Sequence, residues 1–221
     1  MNPIFLYIGG EAIELPSVIW HCNLSPLLIY ELSTTDFSVI RSETAPDTGP
    51  FGIGGDASVI WHTDAATNDI HELSTLDFST IRSEPSDAGT PSGIGGTSDV
   101  IWQCDSTAAL IYELSTLDFS VIRSEDSPDS GPNGIGGDED TIWHCDAFVD
   151  TMYELSTLDF SIIRSDSSPT AVPTGMGGDA GVIWHCETVG DTIKELSTLD
   201  LSTVRSESSP DSFPSGIGGS S

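Results

Sequence analysis

The feature that most constrains this fold is a 41-residue unit that occurs five times in the 221-residue chain. All tryptophans of the chain fall at one position of the unit, namely Trp20, Trp61, Trp102, Trp143 and Trp184. Each is followed by a segment close to YELSTLDFSVIRSE and then by a Gly-Ile-Gly-Gly or Gly-Met-Gly-Gly run. A fixed period of this length predicts a repeat architecture in which each unit buries its apolar faces against its neighbours.

Within each unit, short runs of β-branched and aromatic residues are separated by turn-forming residues, a pattern typical of strands. In the third unit we predict strands at residues 100–105, 110–115, 120–125 and 134–137. Four short antiparallel strands in about 40 residues are what one blade of a β-propeller requires. We therefore predict an all-β, five-bladed β-propeller over residues 16–221, preceded by an extra N-terminal segment at residues 1–15.

The two ends of the chain predict how the ring closes. The last Gly-Ile-Gly-Gly run, at residues 216–219, keeps the repeat register although no unit follows it. We expect it to supply the innermost strand of the first blade, where glycine lets several backbones crowd around the axis. Residues 1–15 are then surplus. Their apolar run at residues 4–8 is expected to pack on the ring or to add to a sheet edge of another copy.

The blade sequence resembles the repeats of the NHL and YVTN families, whose units read roughly Gly-Ile-Ala-x-Asp, Leu-Trp-Val-x-Asp and Ile-Tyr-x-Leu. The matching segments here are GIGGD at residues 134–138, IWHCD at 142–146 and MYEL at 152–155. The similarity covers residues 18 to 219. By blade count and near-identity of the repeats, the chain is also loosely similar to five-bladed lectins of the tachylectin sort. The resemblance implies the architecture, whereas such blades serve lectins, sensors, scaffolds and some enzymes.

The charge of the chain bounds its partners. The sequence has 35 acidic against 6 basic side chains, a formal net charge of -29. Such a field repels nucleic acid and anionic lipid, so we expect neither a nucleic-acid nor a membrane partner. A neutral ligand, a glycan, a protein or a cation is left. No apolar stretch approaches the roughly 18 residues of a membrane span, and no leader is recognisable, which favours the cytoplasm.

Five of the six basic residues share one repeat position: Arg41, Arg82, Arg123, Arg164 and Arg205. We expect each to pair with a nearby acid, either Glu on the adjacent strand (Glu31, Glu72, Glu113, Glu154 and Glu195) or Asp in the turn (Asp36, Asp77, Asp118, Asp159 and Asp200). Two interpretations of the remaining acids stay open. They suit high salt or solubility, or they form Ca²⁺ sites at loops such as residues 138–140 or Asp56 with Asp64. No cofactor is predicted.

The histidines and cysteines also follow the repeat. His21, His62, His144 and His185 share one position with Gln103, which favours hydrogen-bonded histidines between blades over metal ligands or catalytic groups. His71 replaces a repeated tyrosine and is interpreted as drift. Cys22, Cys104, Cys145 and Cys186 share the next position, and a ring separates them too far for disulfides, so we expect buried free thiols. Without paired Cys-x-x-Cys motifs, a zinc site is not expected.

The copies differ most in the turn after the tryptophan strand and in the Pro/Ser-rich stretch before the glycines. Turns often carry binding residues, although drift is also tolerated there. The candidate ligand-binding residues are Asn68, Asp69, Thr107, Asp150 and Asp191. The function we expect is a non-catalytic binding or interaction module, multivalent and either lectin-like or protein-binding. The alternative is a structural protein that self-assembles through its N-terminal strand, and a propeller enzyme of the lactonase or lyase type is the third hypothesis.

Overall fold

The predicted five-bladed propeller is confirmed. The computed structural model describes residues 5–8, 11–14, 18–179 and 181–219, and these residues form strands and turns without any helix. Five sheets, each of four antiparallel strands, are arranged in a ring. Within the described residues there is thus no helix with the length and apolarity that a membrane crossing needs.

Each blade runs from an inner strand at the axis to an outer strand at the circumference. In chain order the strands are β1 (Phe5–Ile8), β2 (Glu11–Glu14), β3 (Val18–Asn23), β4 (Leu28–Ser33), β5 (Val39–Thr44), β6 (Pro50–Gly55), β7 (Val59–Asp64), β8 (Asp69–Ser74), β9 (Thr80–Pro85), β10 (Pro91–Gly96), β11 (Val100–Asp105), β12 (Leu110–Ser115), β13 (Val121–Asp126), β14 (Pro132–Gly137), β15 (Thr141–Asp146), β16 (Thr151–Ser156), β17 (Ile162–Ser167), β18 (Pro173–Asp179), β19 (Val182–Glu187), β20 (Thr192–Leu196), β21 (Thr203–Ser208) and β22 (Pro214–Gly219). The first blade has the order β22-β3-β4-β5, and the second has β6-β7-β8-β9.

The ring closes through the C-terminal strand, as predicted. β22 pairs antiparallel with β3, so that Gly218 lies opposite Trp20 and Gly216 lies opposite Cys22. The last segment of the chain therefore completes the first blade. Every other blade takes its inner strand from the residues just before its own tryptophan strand.

Two strand boundaries in the third repeat were predicted wrongly. The outer strand begins at Val121 and not at Ser120, because the carbonyl of Ser120 accepts the amide of Ser115 and so belongs to the turn. The following inner strand begins at Pro132 and not at Gly134, because its pairing continues past an irregularity in register between these two residues. The predicted strands at residues 100–105 and 110–115 match β11 and β12.

The N-terminal segment forms a hairpin of its own. β1 pairs antiparallel with β2, with Phe5 opposite Glu14 and Ile8 opposite Glu11. Among the described strands, neither of the two pairs with a blade. The apolar run at residues 4–8 predicts one strand, and residue 4 lies outside the described residues. Nothing in the sequence predicts β2.

The hydrophobic core lies between the blades. At the junction of the third and fourth blades, Trp102 and Cys104 pack against Ile142, Leu155 and Phe160 of the next blade. Each of the other junctions repeats this arrangement, and the tryptophans are between 1% and 3% exposed. Because each indole side chain packs against the sheet of the next blade, its burial stabilises the contact between two blades and not one blade alone.

Each repeated arginine forms a contact across a blade junction, which we term the arginine clamp. Arg123 pairs with Glu113 of its own blade at 2.6 Å and donates hydrogen bonds to the backbone carbonyls of Thr157 and Leu158 in the next blade. Its guanidinium lies 4.2 Å from the ring centre of Phe160, a cation–π contact. The ion pairs with Glu31, Glu72, Glu113, Glu154 and Glu195 recur in every blade.

Glycines allow the inner strands to approach one another at the axis. A Cβ atom added to Gly136 would lie 2.8 Å from the Cα atom of Gly177, and one added to Gly95 would lie 2.8 Å from the Cα atom of Gly136. Both distances are shorter than a van der Waals contact between two carbon atoms. The neighbouring backbone is closely packed and cannot move away to relieve the overlap. The Gly-Ile-Gly-Gly run is therefore a steric requirement of a ring this small.

We predict that Gly136→Ala destabilises the ring by about 1–3 kcal/mol, because the added methyl overpacks the axis. The matched control is Gly89→Ala. Its Cβ would lie 3.6 Å from Asp105 Oδ2, an ordinary contact, so its stability should equal that of the parent protein or rise slightly. Urea unfolding monitored by tryptophan fluorescence measures both changes, and equal midpoints for the two variants would contradict the steric argument.

Candidate functional site

The propeller has two distinct faces. In the second blade, the turn at residues 65–68 and the connecting loop at residues 86–90 lie at one end of the strands, which we call the loop face. The turns at residues 56–58 and 75–79 lie at the other end, which we call the turn face. The sequence differences between blades therefore concentrate on the loop face.

The predicted ligand-binding residues lie on the loop face, where several of them hold the connecting loops. The carboxylates of Asp150 and Asp191 accept the backbone amides of Val172 and Phe213 at 2.7 and 2.8 Å. Thr107 Oγ1 lies 2.7 Å from Thr90 Oγ1.

Asn68, like the three candidates above, contacts a connecting loop. Its φ is 61°, and its carbonyl accepts the amide of Ser86 at 2.8 Å. Asp69 differs from the others because it belongs to a cluster with Asp47 and His71. The candidates are thus distributed over different blades, and the structure does not bring them into one site.

Buried carboxylates beneath the loop face were missed by sequence analysis. Asp146 is fully buried, and its two oxygens accept the amides of Gly131 at 2.6 Å and Phe148 at 2.8 Å. Asp64 and Asp105 make the same kind of contacts in the second and third blades. The signal in the sequence is an acid at the end of the tryptophan strand, whereas the two sequence interpretations place such acids on a charged surface or, for Asp64, in a Ca²⁺ site.

One pairing in the Ca²⁺ interpretation is wrong. Asp56 and Asp64 lie at opposite ends of β7, and a strand of six residues spans roughly 20 Å, so the two carboxylates cannot share an ion. Asp138 lies on the turn face, where its Oδ1 accepts the amides of Asp140 and Thr141 at 2.9 and 2.8 Å. Its carboxylate therefore fixes the turn that it begins.

The repeated histidines of the first, fourth and fifth blades fasten the connecting loop to the blade that it enters. Nδ1 of His144 lies 2.9 Å from the carbonyl of Gly134, to which it must donate, so Nε2 accepts from the Ser127 hydroxyl at 3.2 Å. Burial lowers the pKa of His144 to about 4. The same direction and cause apply to the pKa values of His21, His62 and His185. These side chains are therefore neutral at neutral pH.

The thiols at the next repeat position are also buried. Cys22, Cys104, Cys145 and Cys186 are free cysteines. Burial raises the pKa of Cys22 and of Cys145 to about 12. A thiol in such surroundings forms little thiolate, so these groups are packing residues and not nucleophiles.

The buried histidines predict a loss of stability in acid. Each folded pKa of about 4 lies below the unfolded value of 6.5, so the unfolded state binds more protons in this window and stability falls as pH falls from 6.5 towards 4. Between pH 7 and pH 5, each of these histidines should lower the free energy of unfolding by about 2 kcal/mol.

The test replaces one histidine by the residue that the third blade carries at this position. In His144→Gln the free energy of unfolding should fall by about 2 kcal/mol less between pH 7 and pH 5 than in the parent protein. Gln103 accepts from Ser86 at 2.8 Å in the equivalent place, so the substitution keeps the loop contact. Urea unfolding at the two pH values measures the difference, and identical losses would refute the assignment.

The axis offers little room for a ligand. The passage between the inner strands is lined mainly by glycines and encloses about 10 Å³, about the space that one water needs. At the turn-face mouth, a cavity of about 260 Å³ is lined by residues that include Asp56, Thr97, Asp138 and Glu139. The carboxylates of Asp56 and Asp138 are used by their own turns.

Apolar side chains are exposed around the circumference near the turn face. The exposure of Leu76, Leu117, Leu158 and Leu199 lies between 86% and 88%. Each lies in the turn that precedes an outer strand, and exposed Val, Ile or Thr residues begin that strand. We call this set the apolar rim: Val39, Ile40, Leu76, Ile81, Leu117, Val121, Ile122, Leu158, Ile162, Ile163, Leu199 and Val204.

The apolar rim borders strand edges. β5, β9, β13, β17 and β21 each stand last in their sheet, so one side of every outer strand has backbone groups without a neighbouring strand of the ring. Exposed acids occupy the same repeat position towards the other end of these strands: Glu43, Glu84, Glu125, Asp166 and Glu207. At four junctions the arginine clamp joins the rim of two neighbouring blades, because the arginine of one outer strand donates to the backbone carbonyl of the rim leucine in the next blade. At the fifth junction Arg205 donates to the carbonyl of Thr35.

The comparisons with known proteins support the architecture. The chain aligns with a structure of a nidogen/laminin complex at a TM-score of 0.66 and 13% identity, over 93% of this chain and 98% of that chain. It aligns with Myxococcus xanthus glutaminyl cyclase at a TM-score of 0.61 and 11% identity, over 77% and 70% of the two chains.

A third similar structure is the catalytically inactive H270A virginiamycin B lyase from Staphylococcus aureus with quinupristin. It has a TM-score of 0.55 and 22% identity, over 93% of this chain and 75% of that chain. No protein-family model matches the chain, and no curated protein matches its sequence. This chain is a five-bladed β-propeller. At these identities the likeness concerns the fold alone, since the neighbours include both enzymes and a binding complex.

Proposed function

We propose that this propeller is a non-catalytic, multivalent interaction module that binds extended protein segments along its outer strands. The observation that carries the proposal is the apolar rim beside an exposed strand edge, which the blades repeat around the circumference. Exposed apolar patches of this extent on soluble proteins commonly mark interaction surfaces. An exposed edge can accept a further strand, whose backbone hydrogen bonds supply affinity.

The chemistry of the edge indicates which segment would fit. Each outer strand begins with exposed Val, Ile or Thr and carries an exposed acid towards its end, for example Ile122 and Glu125 in β13. In a partner strand that alternates apolar residues with Lys or Arg, the apolar side chains would cover the exposed Val or Ile, and the basic side chains would pair with the exposed acid. The net charge of -29 favours such a basic partner over a second acidic copy.

Because the binding sites repeat around the ring, several weak sites could act together and raise the overall affinity. Covering one exposed Ile or Leu stabilises a complex by about 1.5–3 kcal/mol before the cost of ordering the partner. One outer strand alone should therefore bind weakly. Several strands engaged by linked or clustered segments would bind much more tightly through effective concentration.

We predict that a synthetic extended peptide of alternating Val and Lys binds this protein more tightly as its density on a sensor surface rises. The variant I40T/I81T/I122T/I163T/V204T should lose this binding, because threonine keeps strand propensity and removes apolar surface. The matched control I40V/I81V/I122V/I163V/V204I keeps the surface apolar and should bind like the parent protein. Surface plasmon resonance at low and high peptide density measures all three proteins.

Two results would overturn the proposal. One is equal binding by the threonine variant and the control. The other is density-dependent binding to a glycan array that is abolished by alanine at Asn68, Thr107, Asp150 and Asp191, since this result would place a sugar site on the loop face.

Self-assembly through the N-terminal segment is the second candidate function. β1 and β2 form a separate two-stranded sheet, and such hairpins are marginally stable in water unless they pack on something else. Addition of this hairpin to an outer strand of another copy would satisfy both edges.

The self-assembly hypothesis predicts that deletion of residues 2–15 converts an oligomer into a single chain. Light scattering of the intact and shortened proteins measures this change. If the intact protein already has the mass of one chain, or if deletion leaves the oligomer unchanged, this hypothesis is wrong.

A further inference from the structure

The second blade departs from the repeat at three positions that meet in one place. It carries His71 where other blades have Tyr or Lys, Asp69 where they have Leu or Thr, and Ala45 where they have Ser. From the repeat pattern alone, His71 is interpreted as drift. In the first and fourth blades, the tyrosine at this position donates a hydrogen bond from its hydroxyl to an aspartate of the connecting loop, in the pairs Tyr30–Asp211 and Tyr153–Asp129. The aspartate equivalent to these in the second blade is Asp47.

Two of these changed residues, Asp69 and His71, lie close to Asp47, and all three side chains can bind a metal. One ligand atom each from Asp47, Asp69 and His71 lies within 4.8 Å of the others. His71 is 3% exposed, its Nδ1 lies 2.7 Å from Ser83 Oγ, and its Nε2 lies 3.3 Å from Asp47 Oδ2. The contact between Asp47 Oδ2 and His71 Nε2 is short enough for an ion pair but does not have the geometry of a hydrogen bond.

Two buried imidazole nitrogens at this place lack a hydrogen-bond partner among the described residues, Nε2 of His71 and Nε2 of His62. In the first, fourth and fifth blades the histidine Nε2 contacts a serine of the connecting loop. The second blade has Ala45 there, so this contact is lost. The rings of His62 and His71 stack with centroids 5.9 Å apart. A buried nitrogen without a hydrogen-bond partner costs free energy, and a cation bound to Nε2 of His71 would offset that cost for this nitrogen.

We propose that Asp47, Asp69 and Nε2 of His71 form a binding site for a divalent transition-metal ion, with Zn²⁺ as the best fit. Imidazole nitrogen with two carboxylates suits such an ion, whereas Ca²⁺ and Mg²⁺ prefer oxygen ligands throughout. The side chain of Asp47 is 38% exposed, which gives the ion a path from solvent. The negative field of the protein concentrates cations near it.

The site would tie two blades together. Asp47 lies on the loop that leads from β5 of the first blade to β6 of the second, whereas Asp69 and His71 lie on β8. An ion bound by all three fastens the loop to the sheet, the task that the tyrosine–aspartate pair performs in the first and fourth blades. The bound ion should therefore stabilise the folded ring.

The test is calorimetric titration of the EDTA-treated, dialysed full chain with Zn²⁺ alone, in excess Mg²⁺ to occupy scattered surface carboxylates. We expect one Zn²⁺ per chain. His71→Tyr and Asp69→Thr restore residues that other blades carry, so both should fold, and each should weaken binding by about tenfold or more. His144→Gln, which removes a repeated histidine elsewhere, should leave the affinity unchanged. The thermal midpoint should rise with Zn²⁺ in the parent protein and not in His71→Tyr.

Co²⁺ provides a separate readout, because its visible absorption reports ligand type and geometry. The parent protein should show a bound Co²⁺ spectrum that His71→Tyr loses. The proposal is wrong if His71→Tyr and Asp69→Thr bind Zn²⁺ with the stoichiometry and affinity of the parent protein. It is also wrong if the parent protein shows no binding that survives excess Mg²⁺.

Discussion

The structure depends on the packing of each tryptophan against the following blade. A four-stranded sheet of this size cannot bury enough apolar surface alone, and here the large rings extend into the next sheet, so that one blade completes the core of another. The chain must therefore close into a ring or leave one core open. Closure brings the inner strands so near the axis that Gly95 and Gly136 have no room for a side chain.

Most of the polar repetition serves this ring. The arginine clamps join neighbouring blades on the turn-face side, while buried histidines and aspartates such as His144 and Asp146 hold the connecting loops on the other side. A group that is copied in each blade and has all its hydrogen bonds within the protein is a structural part. Interaction surfaces are thus left where repeated groups are exposed, as in the apolar rim, or where one blade departs from the others, as at His71.

Much of the fold could be predicted because the 41-residue period, the strand-forming runs and the terminal glycines all indicated the same architecture. The candidate site was less predictable. Asp150 and Asp191 were selected as ligand residues because turns vary, yet their carboxylates accept amides of connecting loops. The exposure of Leu117 or Ile122 was also hidden in the sequence, because an outer strand and a buried strand have similar β-branched compositions.

The sequence by itself determined the number of blades, their strands and the way in which the ring closes, because these follow from local patterns and from a period along the chain. Only the tertiary structure decided which side chains meet. Asp47 and His71 are 24 positions apart in the chain, and Arg41 contacts a turn of the next blade. Such contacts depend on how strands and loops cross the ring, so a substitution that looks like drift in one repeat becomes a cluster of metal-binding groups once the loop lies over it.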